Sequence, residues 1–205
     1  MTRYAILVGC SKKSDYKQKS LFNIYSLLKS TDFGCFNDKE ILVMSEGVDF
    51  FVLNMALKNL FESGLDFLFL YFCGNSADKF EKSFFTIDES KVEIKKLEKI
   101  AKKQILIFDS CESLISFDDF YDSDFNFNKE EILSSQENFQ KSVENTLKSD
   151  FLIFSQKEKP FENENGLGVL TESFVNGVKS CNQNLDFKML EKNCEFEMNV
   201  FEAGK

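Results

Sequence analysis

The residue of this chain best suited to covalent chemistry is Cys111, which ends the apolar run Ile105–Cys111 (ILIFDSC). A cysteine thiolate is a strong nucleophile, and an acid, Asp109, lies two residues before it. A second run of the same shape, Phe67–Ser76 (FLFLYFCGNS), ends in Cys-Gly-Asn-Ser. Both runs have the length of buried strands, and parallel pairing would bring their polar ends together at one edge of a sheet.

The chain contains no histidine. Histidine is the commonest general base and the commonest metal ligand. Its absence excludes every Cys-His or Ser-His mechanism for the chain as written. Cys111 therefore has a second interpretation as a buried free thiol at a strand end, which is what we expect of Cys10 and Cys73.

Composition excludes several classes of protein. At 205 residues and 43 % hydrophobic content the chain suits one folded domain. A net charge of -9 disfavours binding to nucleic-acid phosphates, and no apolar run reaches membrane-spanning length. The six cysteines show no CxxC spacing, which predicts free thiols in a reducing cytoplasm and neither a disulfide framework nor a zinc site. We expect a cytoplasmic domain that binds neither nucleic acid nor membrane.

Apolar runs of strand length alternate with segments of helical periodicity along the chain. Main strands are predicted at Arg3–Gly9, Glu40–Met44, Leu65–Phe72, Gln104–Phe108 and Phe151–Ser155, with a minor strand at Phe84–Ile87 and an edge strand at Glu195–Phe201. Apolar spacing predicts helices at Leu21–Leu28, Leu53–Phe61, Leu170–Val178 and Asp186–Lys192. The alternation predicts a three-layer α/β fold with a mainly parallel central sheet flanked by helices.

Two capping patterns predict where further helices begin. Ser90 with Glu93 forms a capping box ahead of a helical stripe that ends at Ala101. Ser134 with Glu137 predicts a second helix start, followed by Phe139, Val143 and Leu147 at intervals of four residues.

The polar strand ends also carry a resemblance to a known family. Tyr71–Ser76 (YFCGNS) and Ile107–Ser113 (IFDSCES) resemble the two motifs of caspase-like cysteine peptidases, closest to metacaspases, orthocaspases and other bacterial members. In that family one strand ends at the catalytic histidine, and the next main strand ends in Asp-(Ala/Ser)-Cys-x-Ser. The resemblance covers roughly residues 3–180. It implies one caspase-like domain: a large-subunit-like part (1–116), an acidic loop and helix linker (117–149) and a small-subunit-like part (150–205).

The resemblance implies a role for each matching residue. Cys111 takes the place of the nucleophile, Asn75 that of the catalytic histidine, and the backbone N–H of Ser76 joins the oxyanion hole. Asp109 takes the place of the acid that selects Arg or Lys at P1, and Ser155 belongs to the substrate-binding segment. The implied partners are a protein or peptide substrate and a regulatory protein, in regulated cell death or antiphage defence.

Asn75 departs from the family pattern because an amide cannot take a proton from a thiol near neutral pH. Loss of a general acid-base typically costs about 10²–10⁴-fold in rate. The interval from Asn75 to Cys111, 36 residues, is also shorter than the roughly 50 residues of caspases. The chain is then either a natural pseudo-caspase that binds a partner or peptide, or a peptidase whose histidine was replaced. A domain that binds a small ligand at its strand ends is a third interpretation.

Acidic residues in the central loop and at the strand end leave further alternatives open. The loop carries Asp118, Asp119, Asp122 and Asp124, which could bind calcium, mark a processing segment or form a solvated run of charge. Their spacing is not that of an EF-hand, and no other cofactor is expected. Asp109 has the alternative role of a strand-end acid that caps the following helix.

Overall fold

The computed structural model describes most of the chain, with side chains omitted for Cys10, Gly74, Val169, the two short strands and the last strand of the main sheet. The described residues are 1–10, 19–45, 50–74, 84–87, 90–93, 97, 99–109, 125–146, 151–155, 168–181, 185, 187 and 190. Strands and helices alternate along these residues, which confirms an α/β fold.

Five parallel strands form the central sheet. In chain order they are β1 (Arg3–Cys10), β2 (Ile41–Met44), β3 (Phe67–Gly74), β6 (Lys103–Asp109) and β7 (Phe151–Ser155). Their order across the sheet is β2-β1-β3-β6-β7, and every neighbouring pair is parallel. All five carboxyl ends therefore lie at one edge, which is where α/β proteins place ligands and catalytic groups.

Four α-helices have described bounds: α1 (Lys19–Lys29), α2 (Phe50–Glu62), α3 (Lys129–Asn145) and α4 (Val169–Ser180). A 3₁₀ helix spans Asp38–Glu40, and Phe187 and Leu190 are also helical. Alternate side chains of the central strands point to opposite faces of the sheet. On one face Phe69, Tyr71 and Ile107 pack in the same core as residues of α1, α3 and α4. On the other face Leu68, Leu70 and Phe108 pack with α2 and the turn around Ile100. Helices thus cover both faces of the sheet.

Phenylalanine supplies much of the core beneath α3 and α4. The Phe33 ring contacts Phe69 at a centroid distance of 5.5 Å and Phe139 at 5.2 Å. It also lies 6.1 Å from Phe174 of α4. The edge-to-face and tilted arrangements match the electrostatic preference of aromatic pairs, so one ring ties β3, α3 and α4 together.

The two predicted helix starts are wrong. Ser90–Glu93 is strand β5, which pairs antiparallel with β4 (Phe84–Ile87), so cross-strand pairing prevails over the local capping pattern. Leu97 lies in a short 3₁₀ turn. Helix α3 begins at Lys129, five residues before Ser134, and its N-cap Asn128 forms both bonds of a capping box with Glu131.

Other sequence predictions divide between confirmed elements and residues outside the described part of the chain. The five predicted main strands are present, with ends shifted by up to two residues. Phe61, predicted on the buried stripe of α2, is 62 % exposed instead, because the helix turns only Leu53 and Leu57 fully inward. Leu147 and Glu195–Phe201 are outside the described residues. No helix in the described ranges is long and apolar enough to cross a membrane.

Candidate functional site at the carboxyl edge of the sheet

The ends of β3 and β6 lie side by side at the carboxyl edge of the sheet. Seven consecutive residue pairs join the two strands, and the last of them pairs Cys73 with Asp109. Asn75 follows the first member of this pair by two residues, and Cys111 follows the second by two. The described strands β3 and β6 therefore end one residue before Asn75 and two residues before Cys111, the two positions that carry the family resemblance.

Asp109, the last residue of β6, points into the protein and is only 2 % exposed. One carboxylate oxygen, Oδ2, accepts hydrogen bonds from the backbone N–H of Thr171, at 3.1 Å, and from the Thr171 hydroxyl. Thr171 lies in the first turn of α4, whose N-cap residue, Gly168, has no side chain to cap the helix. Asp109 supplies the missing acceptor from a different element, and a carboxylate at a helix N-terminus is also favoured by the helix dipole.

Gly168 makes room for this carboxylate. A Cβ atom built at residue 168 would lie 2.1 Å from Asp109 Oδ2 and 2.7 Å from Cγ, far inside contact distance. The backbone of Gly168 has φ -60°, which any residue adopts, so lack of space is the reason for glycine here. Its N–H donates to the hydroxyl of Ser20, in the first turn of α1, at 2.9 Å.

Tyr71 connects this polar cluster to β3. Its hydroxyl lies 2.7 Å from the hydroxyl of Thr171, and its side chain is completely buried. When Asp109 is ionised, the Thr171 hydroxyl must donate to the carboxylate, so Tyr71 donates to Thr171. We call Ser20, Tyr71, Asp109, Gly168 and Thr171 the α4 latch, since together they join the first turn of α4 to β3, β6 and α1.

Burial raises the pKa of Asp109 to about 6, because an ionised carboxylate loses its hydration inside the protein. The two hydrogen bonds from Thr171, and next the nearby Tyr71 hydroxyl, act in the opposite direction by stabilising the charged form. No cation among the described residues contributes to this pKa. Burial, and next the nearby charge of Asp109, raise the pKa of Tyr71 well above its usual value. The second oxygen of Asp109, Oδ1, accepts no hydrogen bond from the described residues.

The structure places only some of the residues singled out in the sequence. Asp109 is described, and Ser155 ends β7 opposite Phe108 of β6, although its side chain is not described. The positions of Asn75, Ser76 and Cys111 lie outside the described residues, as do the four acids of the central loop, Asp118, Asp119, Asp122 and Asp124. In the part of the chain that is described, no group of three or more His, Cys, Asp or Glu side chains could hold a metal ion.

The expectation of free cysteines holds for two residues and fails for a third. Cys35 and Cys181 are buried free thiols. Cys73 is buried at the end of β3 and is disulfide-bonded to a partner outside the described side chains. The paired ends of β1 and β3 bring Cys10 and Cys73, which are distant in sequence, onto neighbouring strands, and a search for CxxC spacing cannot detect such proximity.

Four members of the α4 latch were not predicted from the sequence as parts of a site. They are spread along the chain: Ser20 lies in α1, Tyr71 in β3 and Thr171 in α4, and Gly168 immediately precedes α4. Thr171 lies 62 residues beyond Asp109. One signal was available. Gly168 offers no capping side chain to the predicted helix Leu170–Val178, so that helix needed an acceptor from elsewhere.

The alternative role of Asp109 as a helix cap is therefore observed, although the capped helix is α4 and not the described helix that follows β6 in sequence.

A search of protein-family models and a search of curated proteins both found no match to the chain.

Proposed function

We propose that the chain is a caspase-like cysteine endopeptidase scaffold with Cys111 as its nucleophile, and that Asn75 disables it as written. The observation that supports this most strongly is the register of β3 and β6. Because Cys73 pairs with Asp109, the position of the family's histidine and that of its cysteine each follow the same residue pair by two residues. The parallel strand order around these ends is compatible with such a peptidase.

The chemistry of the proposal requires a base that the chain lacks. In a Cys-His peptidase the imidazole takes the thiol proton as sulfur attacks the carbonyl carbon, then gives it to the leaving amine. An asparagine amide does neither near neutral pH. Backbone N–H groups at Ser76 and Cys111 would still stabilise the oxyanion. The nucleophile and the oxyanion donors are thus proposed to be in place, and the proton carrier is missing.

The proposed preference for Arg or Lys at P1 depends on Asp109. Its Oδ2 is already used by Thr171, so a substrate cation would have to reach Oδ1, which is buried and accepts no hydrogen bond from the described residues. A desolvated carboxylate pairs with a cation and rejects an anion, so substrates with Asp at P1 should be excluded.

Restoring the base tests the proposal. Asn75→His should hydrolyse fluorogenic peptides with Arg or Lys at P1, and Asn75→His combined with Cys111→Ala should not. Ser76→His is the matched control, since it introduces the same imidazole one residue away from the proposed position. We expect turnover in the first variant at least about 10²-fold above the natural chain. Inactivity of Asn75→His, together with no labelling of Cys111 by a thiol probe, would refute the proposal.

The second candidate is a pseudo-caspase that binds a peptide or protein partner in the same cleft. The observation in its favour is the complete absence of histidine, which leaves no other residue of that type to act as base. Under this alternative the natural chain binds Arg or Lys peptides without cleaving them, and Asn75→His remains inactive while binding is unchanged. Fluorescence anisotropy of a labelled peptide, measured beside turnover, separates the two candidates.

A further inference from the structure

The α4 latch ties a late segment of the chain to the strand that leads into Cys111. Asp109 ends β6, and its Oδ2 holds both the N–H and the hydroxyl of Thr171 in the first turn of α4. Cys111 follows Asp109 by two positions in the sequence. A displacement of α4 from the sheet would therefore pull directly on the end of the strand that precedes the proposed nucleophile.

The hydrogen bonds of the latch form one directed path. The Tyr71 hydroxyl donates to Thr171 Oγ1, and Thr171 donates to Asp109, because an ionised carboxylate can only accept. On the other side of the helix start, the Gly168 N–H donates to Ser20. Tyr71, Ser20 and Thr171 are fully buried, so breaking the path leaves polar groups without water to replace their partners.

Packing reinforces this hydrogen-bonded path. The carboxylate of Asp109 occupies the space in which a side chain at residue 168 would lie, so β6 and the start of α4 are in direct contact. Leu170 and Phe174 of α4 are fully buried in the same core as Tyr71 and Ile107. Helix α4 and the ends of β3 and β6 are thus joined by both polar and apolar contacts.

We infer that Asp109 is a positioning residue, which holds the first turn of α4 against the ends of β3 and β6 and thereby fixes the end of the strand from which the chain continues to Cys111. The role of Cys111 as nucleophile rests on the proposed function, whereas the mechanical link does not. The two oxygens of Asp109 then have separate tasks: Oδ2 anchors α4, and Oδ1 remains for a substrate cation. A partner that moved α4 would alter the nucleophile from a distance.

Thr171→Val tests this inference on the natural chain, without any turnover. The change keeps the shape and the backbone N–H of Thr171 and removes the hydroxyl that bonds Asp109 and Tyr71. Thr171→Ser keeps that hydroxyl and should behave like the natural chain. Thr146→Val is the matched control, because its hydroxyl bonds only Ser142 O at the end of α3.

Two measurements are made on each variant. Hydrogen exchange reports the opening of α4, and the alkylation rate of Cys111 by iodoacetamide, read by peptide mass spectrometry, reports the end of β6. In Thr171→Val we expect exchange in the first turn of α4 to rise about tenfold or more, the scale of one buried hydrogen bond to a charged group. We expect Cys111 alkylation to rise about fivefold as the strand end is released.

Unchanged alkylation of Cys111 beside faster exchange in α4 would overturn the inference, since the latch would then hold the helix without positioning the cysteine. Unchanged exchange would overturn the link itself. If Thr171→Val does not fold, Asp109→Asn serves in its place, because the amide keeps one acceptor oxygen and removes the charge. Failure of Asn75→His to turn over substrate, together with no labelling of Cys111 in that variant, would refute the proposed function and leave the exchange result at α4 standing.

Discussion

Asp109 and Thr171 are separated by 62 residues, yet the N–H of Thr171 donates to Oδ2 of Asp109 at 3.1 Å in the protein interior. This bond joins the end of β6 to the start of α4. It makes the acid before Cys111 part of the internal structure, and it determines how that acid should respond to pH and to mutation.

Asp109 should make stability depend on pH between about 4 and 6. Its pKa is about 6 in the folded protein against 3.8 for the ordinary group, so the folded state binds more protons in this interval. Stability therefore falls as the pH rises from 3.8 to about 6, by about 3 kcal/mol in all. Asp109→Asn should abolish this slope in urea denaturation measured at each pH. Equal slopes in the two proteins would contradict the burial of the ionised carboxylate.

Below that interval, the loss of stability with falling pH should come from a different residue. Hydrogen bonds from Lys102 and Thr2 lower the pKa of Asp66 to about 2, which stabilises the folded state above its ordinary pKa. That contribution is lost as the pH falls from 3.8 to about 2, the opposite direction to the effect of Asp109. Asp66→Asn should weaken acid denaturation in this range and leave the slope between pH 4 and 6 in place. A change in that upper slope would show that the two carboxyls are coupled.

Gly168→Ala should destabilise the protein by about 1–3 kcal/mol, because the new methyl group collides with the carboxylate of Asp109. In the background of Asp109→Ala the same change should cost less than about 1 kcal/mol, since the colliding atoms are absent. Denaturation of the four proteins of this double-mutant cycle measures the coupling. Additive effects of the two changes would show that residues 109 and 168 are not in contact.

Tyr71→Phe should cost about 1–2 kcal/mol and raise the pKa of Asp109 further, because the Tyr71 hydroxyl bonds the Thr171 hydroxyl that donates to the carboxylate and favours its charged form. The midpoint of the pH-dependent change in stability should move upward accordingly. Tyr25→Phe is the matched control, as its hydroxyl donates to Asp38, whose side chain is 75 % exposed. A midpoint that does not move would show that Tyr71 does not influence the pKa of Asp109.

Substitution of Arg3, at the amino end of the sheet, should have a large effect on stability. Its guanidinium pairs with Glu40 at 3.1 Å, donates to the carbonyls of Gly34 and Cys35, and lies 4.1 Å above the Phe36 ring. Arg3→Lys cannot reproduce these planar contacts and should cost about 2–4 kcal/mol in urea denaturation. Lys102→Met, which removes an exposed ion pair with Asp66, should cost less than about 1 kcal/mol. Similar losses in both variants would contradict the assigned role of Arg3.

The strands were predictable from the sequence because each is apolar on both faces. Runs such as Phe67–Phe72 and Gln104–Phe108 admit few interpretations other than central strands of a covered parallel sheet. Patterns that depend on context were less reliable. Ser90 and Glu93 satisfy a helix-capping rule, but pairing with β4 places them in a hairpin.

Residues of the site that belong to a local motif were predictable from the sequence, whereas residues that reach the site through long-range contacts were not. Asp109 was singled out because it precedes Cys111, whereas Thr171 and Gly168 meet it only through folding. Ser20 joins the cluster through Gly168, across 148 residues. No local motif encodes such contacts. The pairing of Cys73 with Asp109, which supports the proposed function, likewise depends on strand register.

The most direct test of the central claim is a single labelling measurement on Asn75→His. The protein is incubated with a peptidyl chloromethyl ketone that carries Arg at P1, and the modified residue is identified by peptide mass spectrometry. We predict one added label, on Cys111, formed at least about 10²-fold faster than in the natural chain. A label on another cysteine, or an equal rate at Cys111 in the two proteins, would contradict the assignment of Cys111 and residue 75 as nucleophile and base.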